Sequence, residues 1–562
     1  MPPFRLPPHS ARRTLTMGAT AFYLISTAPA AQVEPADSQP RDALAENLIG
    51  LYPATDFRII KADCKDCATS PQALWYFGDD VVAVARKDAV GSTPHLRAQD
   101  DVRAWLAANA ATAQDKPPPL LWIGSPQVAE GRLAADPASL RLAAGESALA
   151  VALTTRLASN RAYFDASSQA YFAGRQIKAR GVFRDGTFHA RTMWPKDYAI
   201  ATLPVATPLT NGESIESLVR LDNGGARAPF SARTLWRRDG GAGSVSLAGK
   251  PALAFILNGA QGDDDEAYGG HFAVATGRFD QQGGWDNWLV NNFYNLGSVS
   301  EKGIIASTLP MDAYLADLNS GQSWYRPSYM LVAVMKDQRV PALYQEAISR
   351  VFNHFYSQDF HYRHAGTNCA GINVDTLRTL GWGIPRVGGE SPFKAAVALP
   401  YMALKEVSLA SGQSAYDYLK TERTELLPFV AFNTIGEDLL SRLTGKEGAR
   451  SAIETRLADD LEAIVFVRIP QFPSSRAFGY DPVLSLREYE KRAPADRADW
   501  KIIPVGPREF PASMKNPLAP KEKRPQSVTA TYVLAASVLC LSGGVIVAWR
   551  RRRQKGRART DV

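Results

Sequence analysis

Cysteine is scarce in this chain: four occur in 562 residues, at Cys64, Cys67, Cys369 and Cys540. That number excludes a small disulfide-stapled scaffold and is too spread out to build a four-thiolate zinc cage. No G-x-S-x-G, H-E-x-x-H or G-x-x-x-x-G-K-[ST] pattern occurs, so the common signatures of a serine hydrolase, a zinc peptidase and a phosphate-binding loop are missing. No repeat of solenoid length is present. A basic body is missing too, despite a formal charge of +8. The residues after Trp549 carry seven basic side chains and one acidic, and the first 31 hold Arg5, Arg12 and Arg13 with no acid. With these two ends set aside the remainder carries a net −1, which offers no nucleic-acid footprint.

Long apolar runs are confined to the same two ends. Residues 1–31 read as arginines, then "LTMGATAFYLIS", then the small residues of "TAPAAQ", the order of a secretory signal. Gly18 and Thr20 interrupt its short core, which favours cleavage over a permanent span, and Arg12-Arg13 also permits a twin-arginine route. Residues 528–549 form 22 positions without a charge, enough to cross a bilayer as a helix. The run "RRRRQKGRAR" follows at once, which orients residues 550–562 to the cytoplasm and the body outside it.

What lies between is 45% hydrophobic and 10% aromatic over the whole chain, enough for two or three folded units. Residues 32–245 are expected to form a mixed, β-rich N-terminal domain. "DDVVAVARK" reads as a strand, "AQDDVRAWLAANAATAQD" as an amphipathic helix, and "QAYFAGRQIKARGVFRDGTFHARTMW" as a hairpin turning at Asp185-Gly186. The glycine-rich "RRDGGAGSVSLAGKP" is the candidate boundary. In residues 246–470, "ALAFILN", "HFAVATGRF", "NWLVNNFYN" and "SYMLVAVMK" read as strands of one sheet, "PALYQEAISRVFNHFYSQ" as a helix, and helical patterns continue through "LEAIVFVRIP". A Pro- and Lys-rich stalk, 471–527, leads to the span.

Chemistry concentrates at "HYRHAGTNCAGINVDTLRTLGW". Thr367 or Asn368 can cap a helix, Ala370, Val374 and Leu377 repeat at its period, and Gly381, Gly383 and Pro385 stop it. Cys369 therefore falls in the first turn, where unpaired N–H groups favour a thiolate. A base is needed, and His271 sits at the entry of a strand behind Gly269 and Gly270, glycines that allow close approach. On the next strand only one of Asn291 and Asn292 can face the site, and Asn292 is the choice for fixing the imidazole. His354, His361 and His364 raise a zinc reading with Cys369 as fourth ligand, but "HYRHAG" reads as a helix end where histidines cap carbonyls or meet solvent. The "GDDDE" loop is a solvated turn before it is a calcium site. Cys64 and Cys67 are expected to form a short disulfide, with a redox or metal C-x-x-C as the alternative, and Cys540 falls in the apolar span.

The order "GGHFAVATG" then "YSQDFHYRHAGTNCAGINVDTLRTLGW" resembles circularly permuted papain-like (NlpC/P60-like) thiol enzymes, in which histidine precedes cysteine. Within these it is similar to the periplasmic domain of the Lnb-type lipoprotein N-acyltransferases (DUF4105). The likeness spans about residues 252–383; the single C-terminal span and the large N-terminal part depart from it. The resemblance implies an α+β fold with an antiparallel papain-like sheet, a Cys369 nucleophile, a His271 base, Asn368 as the asparagine before the cysteine, and no cofactor. The expected function is an acyl transfer or amide hydrolysis on an envelope peptide, peptidoglycan or lipoprotein, by a single-pass protein of the bacterial inner membrane with a periplasmic body. A non-catalytic envelope-binding scaffold is the rival class.

Overall fold

The computed structural model describes residues 41–42, 59–60 and most of 70–518; residues 1–40, 43–58, 61–69 and 519–562 fall outside that description, as do 110–116, 155–165, 221–227, 259–269, 297–304, 317–326, 446–449, 473–494, 497–509 and some shorter segments. The signal, Cys64, Cys67, Cys540, the "GDDDE" loop and the apolar run 528–549 thus all lie outside the described residues. Among the described residues no helix is long and apolar enough to cross a membrane.

The N-terminal part supplies β1 (Arg41–Asp42), β2 (Ile59–Ile60), α1 (Pro71–Phe77), β3 (Val82–Ala85), α2 (Ala98–Asn109) and β4 (Leu120–Ile123). Next come β5 (Gln127–Leu133), β6 (Leu140–Ala144), β7 (Ser147–Leu153), α3 (Ala166–Phe172), β8 (Gln176–Arg184) and β9 (Thr187–Pro195). The two-residue turn between β8 and β9 has Asp185 at φ 49° and Gly186 at φ 76°, the paired left-handed geometry that matches strand twist in a tight hairpin. These strands form a sheet in the order β1-β5-β6-β7-β9-β8, and β8 pairs back onto β5, so five of them close a small barrel. Val128, Leu149, Phe172, Ile177, Phe188 and Met193 are buried among its strands and α3.

Beyond the barrel run β10 (Thr202–Leu203), α4 (Ile215–Val219), β11 (Ser231–Arg237), β12 (Val245–Ser246), β13 (Pro251–Asn258), β14 (His271–Arg278), β15 (Leu289–Asn291), β16 (Thr308–Pro310), α5 (Met311–Ala316) and β17 (Ser328–Met335). The helices α6 (Arg339–Tyr356), α7 (Cys369–Thr379), α8 (Pro392–Lys405), α9 (Leu409–Lys420), α10 (Arg423–Leu426), α11 (Pro428–Asp438) and α12 (Ala452–Asp460) follow, and β18 (Leu461–Ile469) closes the series. The larger sheet has the order β11-β18-β17-β13-β14-β15-β16-β3-β4-β2 and is antiparallel except where β2 meets β4. Every residue of β13 and β17 is buried, as their unbroken Val/Ile/Leu/Ala/Phe character requires of central strands covered on both faces. Each large apolar side chain so buried contributes about 1.5–3 kcal/mol. Helices α6, α7 and α11 pack against β13 and β14. The architecture is mixed α+β with antiparallel sheets, as expected.

One expectation is corrected. "LEAIVFVRIP" is the strand β18, inserted between β11 and β17, and not a continuation of the helical segment. A short apolar run has no period to distinguish helix from buried strand, and its β-branched and aromatic residues suit the strand.

The glycine-rich segment at 237–251 does not divide the sheet: β11 precedes it, β13 follows it, and β2, β3 and β4 extend the far edge. Barrel and sheet are clasped by buried ion pairs. Lys178 of β8 lies 2.9 Å from Asp286, and Arg180 Nε donates to Asp312 at 2.9 Å while its Nη2 donates to Asn287 at 2.6 Å. The described residues from 70 onward belong to one compact unit. Part of the segment read as stalk is also attached. Phe510 stacks on Tyr76 at 5.0 Å, Gln72 donates to the Met514 carbonyl at 2.8 Å, and Asn516 donates to the Pro94 carbonyl at 3.0 Å.

Candidate active site

Cys369 is the first residue of α7, and Asn368 is its N-cap with extended backbone. The Asn368 side-chain oxygen accepts from the N–H groups of Ala370 and Gly371 at 3.0 and 2.8 Å, satisfying two donors that a helix start leaves open. Its Nδ2 donates to the carbonyls of His364 and Leu426 at 2.9 and 2.8 Å, which ties the preceding turn and α10 to the same point. Thr367 does not cap. Its hydroxyl donates to the His361 carbonyl at 3.0 Å, and its backbone pairs with Arg363. Asn373 donates to the Cys369 carbonyl at 2.7 Å and accepts from the Tyr344 hydroxyl at 2.5 Å, fixing the first turn from below.

The thiol faces the start of β14. Gly270, at φ 66°, turns the chain into the strand in a conformation that side-chain-bearing residues disfavour, and His271 follows as its first residue. The His271 ring hydrogen-bonds the Cys369 thiol, and Nε2 meets Asn292 Oδ1 on its other side. Asn292, immediately after β15, is held in place because its backbone N–H donates to Ser307 at 3.1 Å and its amide donates to the Ile305 carbonyl. Asn291 points the other way. It sits in a buried network with Gln345 and Thr308, at 2.9 and 2.8 Å, so strand alternation separates the two asparagines.

Three tyrosines surround this pair, and none is singled out by the sequence alone. Tyr362 hydrogen-bonds the thiol, Tyr294 packs against both Tyr362 and His271 with centroids 5.5 and 6.3 Å away, and Tyr314 lies 6.4 Å from the His271 ring. Tyr314 donates to Asn258, which donates to Ser328 at 2.8 Å, so the ring is fixed from the ends of β13 and β17. The signal in the sequence is the tyrosine between the histidines of "HYRH", which the histidines obscure.

Burial pushes the Cys369 thiol up, but the His271 ring beside it and hydrogen bonds from that ring, the Phe272 N–H and the Tyr362 hydroxyl outweigh burial and hold it below its ordinary value. Tyr362 is driven well above the ordinary tyrosine range by burial and then by the adjacent sulfur, so its hydroxyl stays a donor. Cys369 is 3% exposed and His271 9%. A cleft of about 360 Å³ opens on the outer side of α7, lined by Arg97, Arg103, Arg363, Thr367, Ile372 and Asp375 among others. Thr367 is the one site residue expected from sequence that it touches; neither Cys369 nor His271 lines it.

The histidines nearest to the cysteine are not gathered round it as ligands. Helix α6 ends at Tyr356, and His354 lies buried between Asp359, 2.7 Å from Nδ1, and Asp101 of α2, 3.1 Å from Nε2. His361 and His364 are exposed. Among the described residues no group of three ligating side chains converges. Comparison with protein-family models, with curated proteins and with solved structures finds no match.

Proposed function

We propose that this chain is an extracytoplasmic, membrane-anchored enzyme that transfers or hydrolyses an acyl or amide group through a thioester on Cys369. The observation that carries the reading is the state of the thiol. It lies at a helix start, hydrogen-bonded by a histidine and a tyrosine, and is drawn below its ordinary pKa although buried. In the reaction Sγ attacks a carbonyl carbon and its proton passes to His271, with Asn292 holding the ring. The helix-start N–H of Cys369 is placed to donate to the oxyanion. Collapse expels an amine or alcohol that takes the proton back from His271, and water or a second amine then resolves the thioester. No step calls on a cofactor.

The chain order of strand histidine, strand asparagine and helix-start cysteine supports a permuted papain-like enzyme. The tyrosine- and histidine-rich approach to Asn368-Cys369 supports an Lnb-type one. The substrate class is an envelope carbonyl: a peptide amide, peptidoglycan or a lipoprotein acyl chain. The location is the bacterial inner membrane, with the body on the periplasmic side of a single C-terminal helix.

Intact-mass measurement with an acylating electrophile tests the pair. Wild type is expected to take one adduct on Cys369, while Cys369→Ser and His271→Ala take none and keep their unfolding temperatures. Equal labelling of all three proteins refutes the assignment. The depth of the sulfur, and a cleft that stops short of it, favour a second reading, a non-catalytic envelope-binding protein. Under that reading Cys369 of the folded wild type stays unlabelled and reacts only after unfolding.

A further inference from the structure

Helices α8 and α9 form a hairpin whose apolar residues are not all used. On one face of α8, Ala395 and Leu399 are buried, and α9 closes on that helix at Gly412, where a Cβ would lie 2.4 Å from the Leu399 carbonyl. The hairpin is therefore packed without help from the other face. That other face carries Phe393, Val397, Tyr401 and Leu404, spaced four, four and three residues apart and 77, 51, 62 and 80% exposed. Val407 and Leu409 extend the stripe over the tip at 91 and 69% exposure. Val407 has φ 49°, a backbone state that a β-branched residue rarely adopts, so an apolar side chain stands at the outermost turn where glycine or asparagine would relieve strain.

Two further facts bear on what covers the stripe. Helix α8 contains Lys394 and Lys405 and no acidic residue, the composition that favours an anionic lipid surface. The body is attached to its own C-terminal segment as far as Asn516, whose N–H reaches the Ser357 carbonyl at 3.4 Å, and only nine residues, 519–527, separate Leu518 from the apolar run. Fully extended, nine residues reach about 30 Å. A body of this size has a radius of gyration of roughly 22 Å, so a membrane span at 528–549 would hold part of its surface against the bilayer.

We propose that the α8–α9 hairpin is a membrane-contact element, its apolar stripe seated in the interfacial layer of a phospholipid bilayer. The proposal rests on the reading of residues 528–549 as a membrane anchor. The hairpin's base is continuous with the turn that holds the cysteine helix. Arg423 donates to the Val387 carbonyl at 2.9 Å, Val387 donates to Thr424 at 2.9 Å, and the Leu426 carbonyl accepts from Asn368. Seating the hairpin in lipid therefore fixes the height and tilt of α7 over the membrane.

The test uses the full chain in vesicles of phosphatidylglycerol and phosphatidylethanolamine that contain a phospholipid with a diazirine on its acyl chain near the headgroup. After irradiation and tryptic digestion, lipid adducts are expected on peptide 395–405 and on the peptide containing 528–549. The variant Val397→Ser/Tyr401→Ser/Leu404→Ser loses about tenfold of the hairpin adducts, keeps those on 528–549 and keeps its unfolding temperature. The single change Tyr401→Ser gives an intermediate loss. Adducts on 528–549 alone overturn the proposal and leave the anchor standing; if the stripe is then protected from deuterium exchange, its occupant is a protein or a second copy. Adducts on the hairpin without any on 528–549 support lipid contact and overturn the anchor. Adducts on neither overturn both.

Discussion

Tyr362 is the residue through which the thiol can be tuned without being removed. Its hydroxyl donates to Cys369 and lowers the thiol pKa, so Tyr362→Phe is expected to move the midpoint of alkylation to higher pH. Labelling at neutral pH should slow on the order of tenfold, the worth of one hydrogen bond to a charged acceptor. A pH–rate profile of iodoacetamide labelling checks this, and an unchanged midpoint would remove Tyr362 from the site. Cys369 and its cap are readable in the chain because helix start and stop are local signals spanning a few residues. The tyrosines are not, since Tyr294, Tyr314 and Tyr362 reach the sulfur from three separate loops and helices. Asn292 is partly readable, because alternation limits the choice to one of two neighbours, and only packing shows that Asn291 belongs to Gln345.

At the scale of elements, β14 carries His271 at one end and a steric constraint at the other. A Cβ on Gly277 would lie 2.1 Å from the Trp288 ring, so the indole occupies the space of the missing side chain. Gly277→Ala should cost about 1–3 kcal/mol by overpacking, seen as a lower urea midpoint at an unchanged slope. Strands β13, β14 and β17 are legible as apolar runs bounded by turn residues. β18 is not, because "LEAIVFVRIP" follows several helices and carries no period of its own. The closure of the barrel is equally invisible, since the pairing of β8 with β5 joins segments with three elements between them.

The whole molecule is held together by polar clasps that sequence reading does not reach, each joining residues more than a hundred positions apart. His354 of α6 meets Asp101 of α2 across the 253 positions that separate them. Burial pulls the imidazole pKa down, but its two carboxylate partners outweigh that and raise it above 6.5. Asp101 is pushed up by burial and held below 3.8 chiefly by His354 and Thr93. The histidine's contribution is therefore complete below about pH 6.5 and fades as pH rises through its raised value, while that of Asp101 is complete above about pH 3.8 and fades below it. The stability difference between wild type and His354→Asn, followed by denaturant titration, should shrink as pH rises above 6.5. The arrangement of the larger sheet has a consequence in time. β18 separates β11 from β17, yet it is made more than two hundred residues after β11. At ordinary synthesis rates that is a wait of roughly 10 to 45 s. During it β11 has no partner in the finished sheet, so a chain threaded outward as it is made would cross the membrane before its central layer could close behind it.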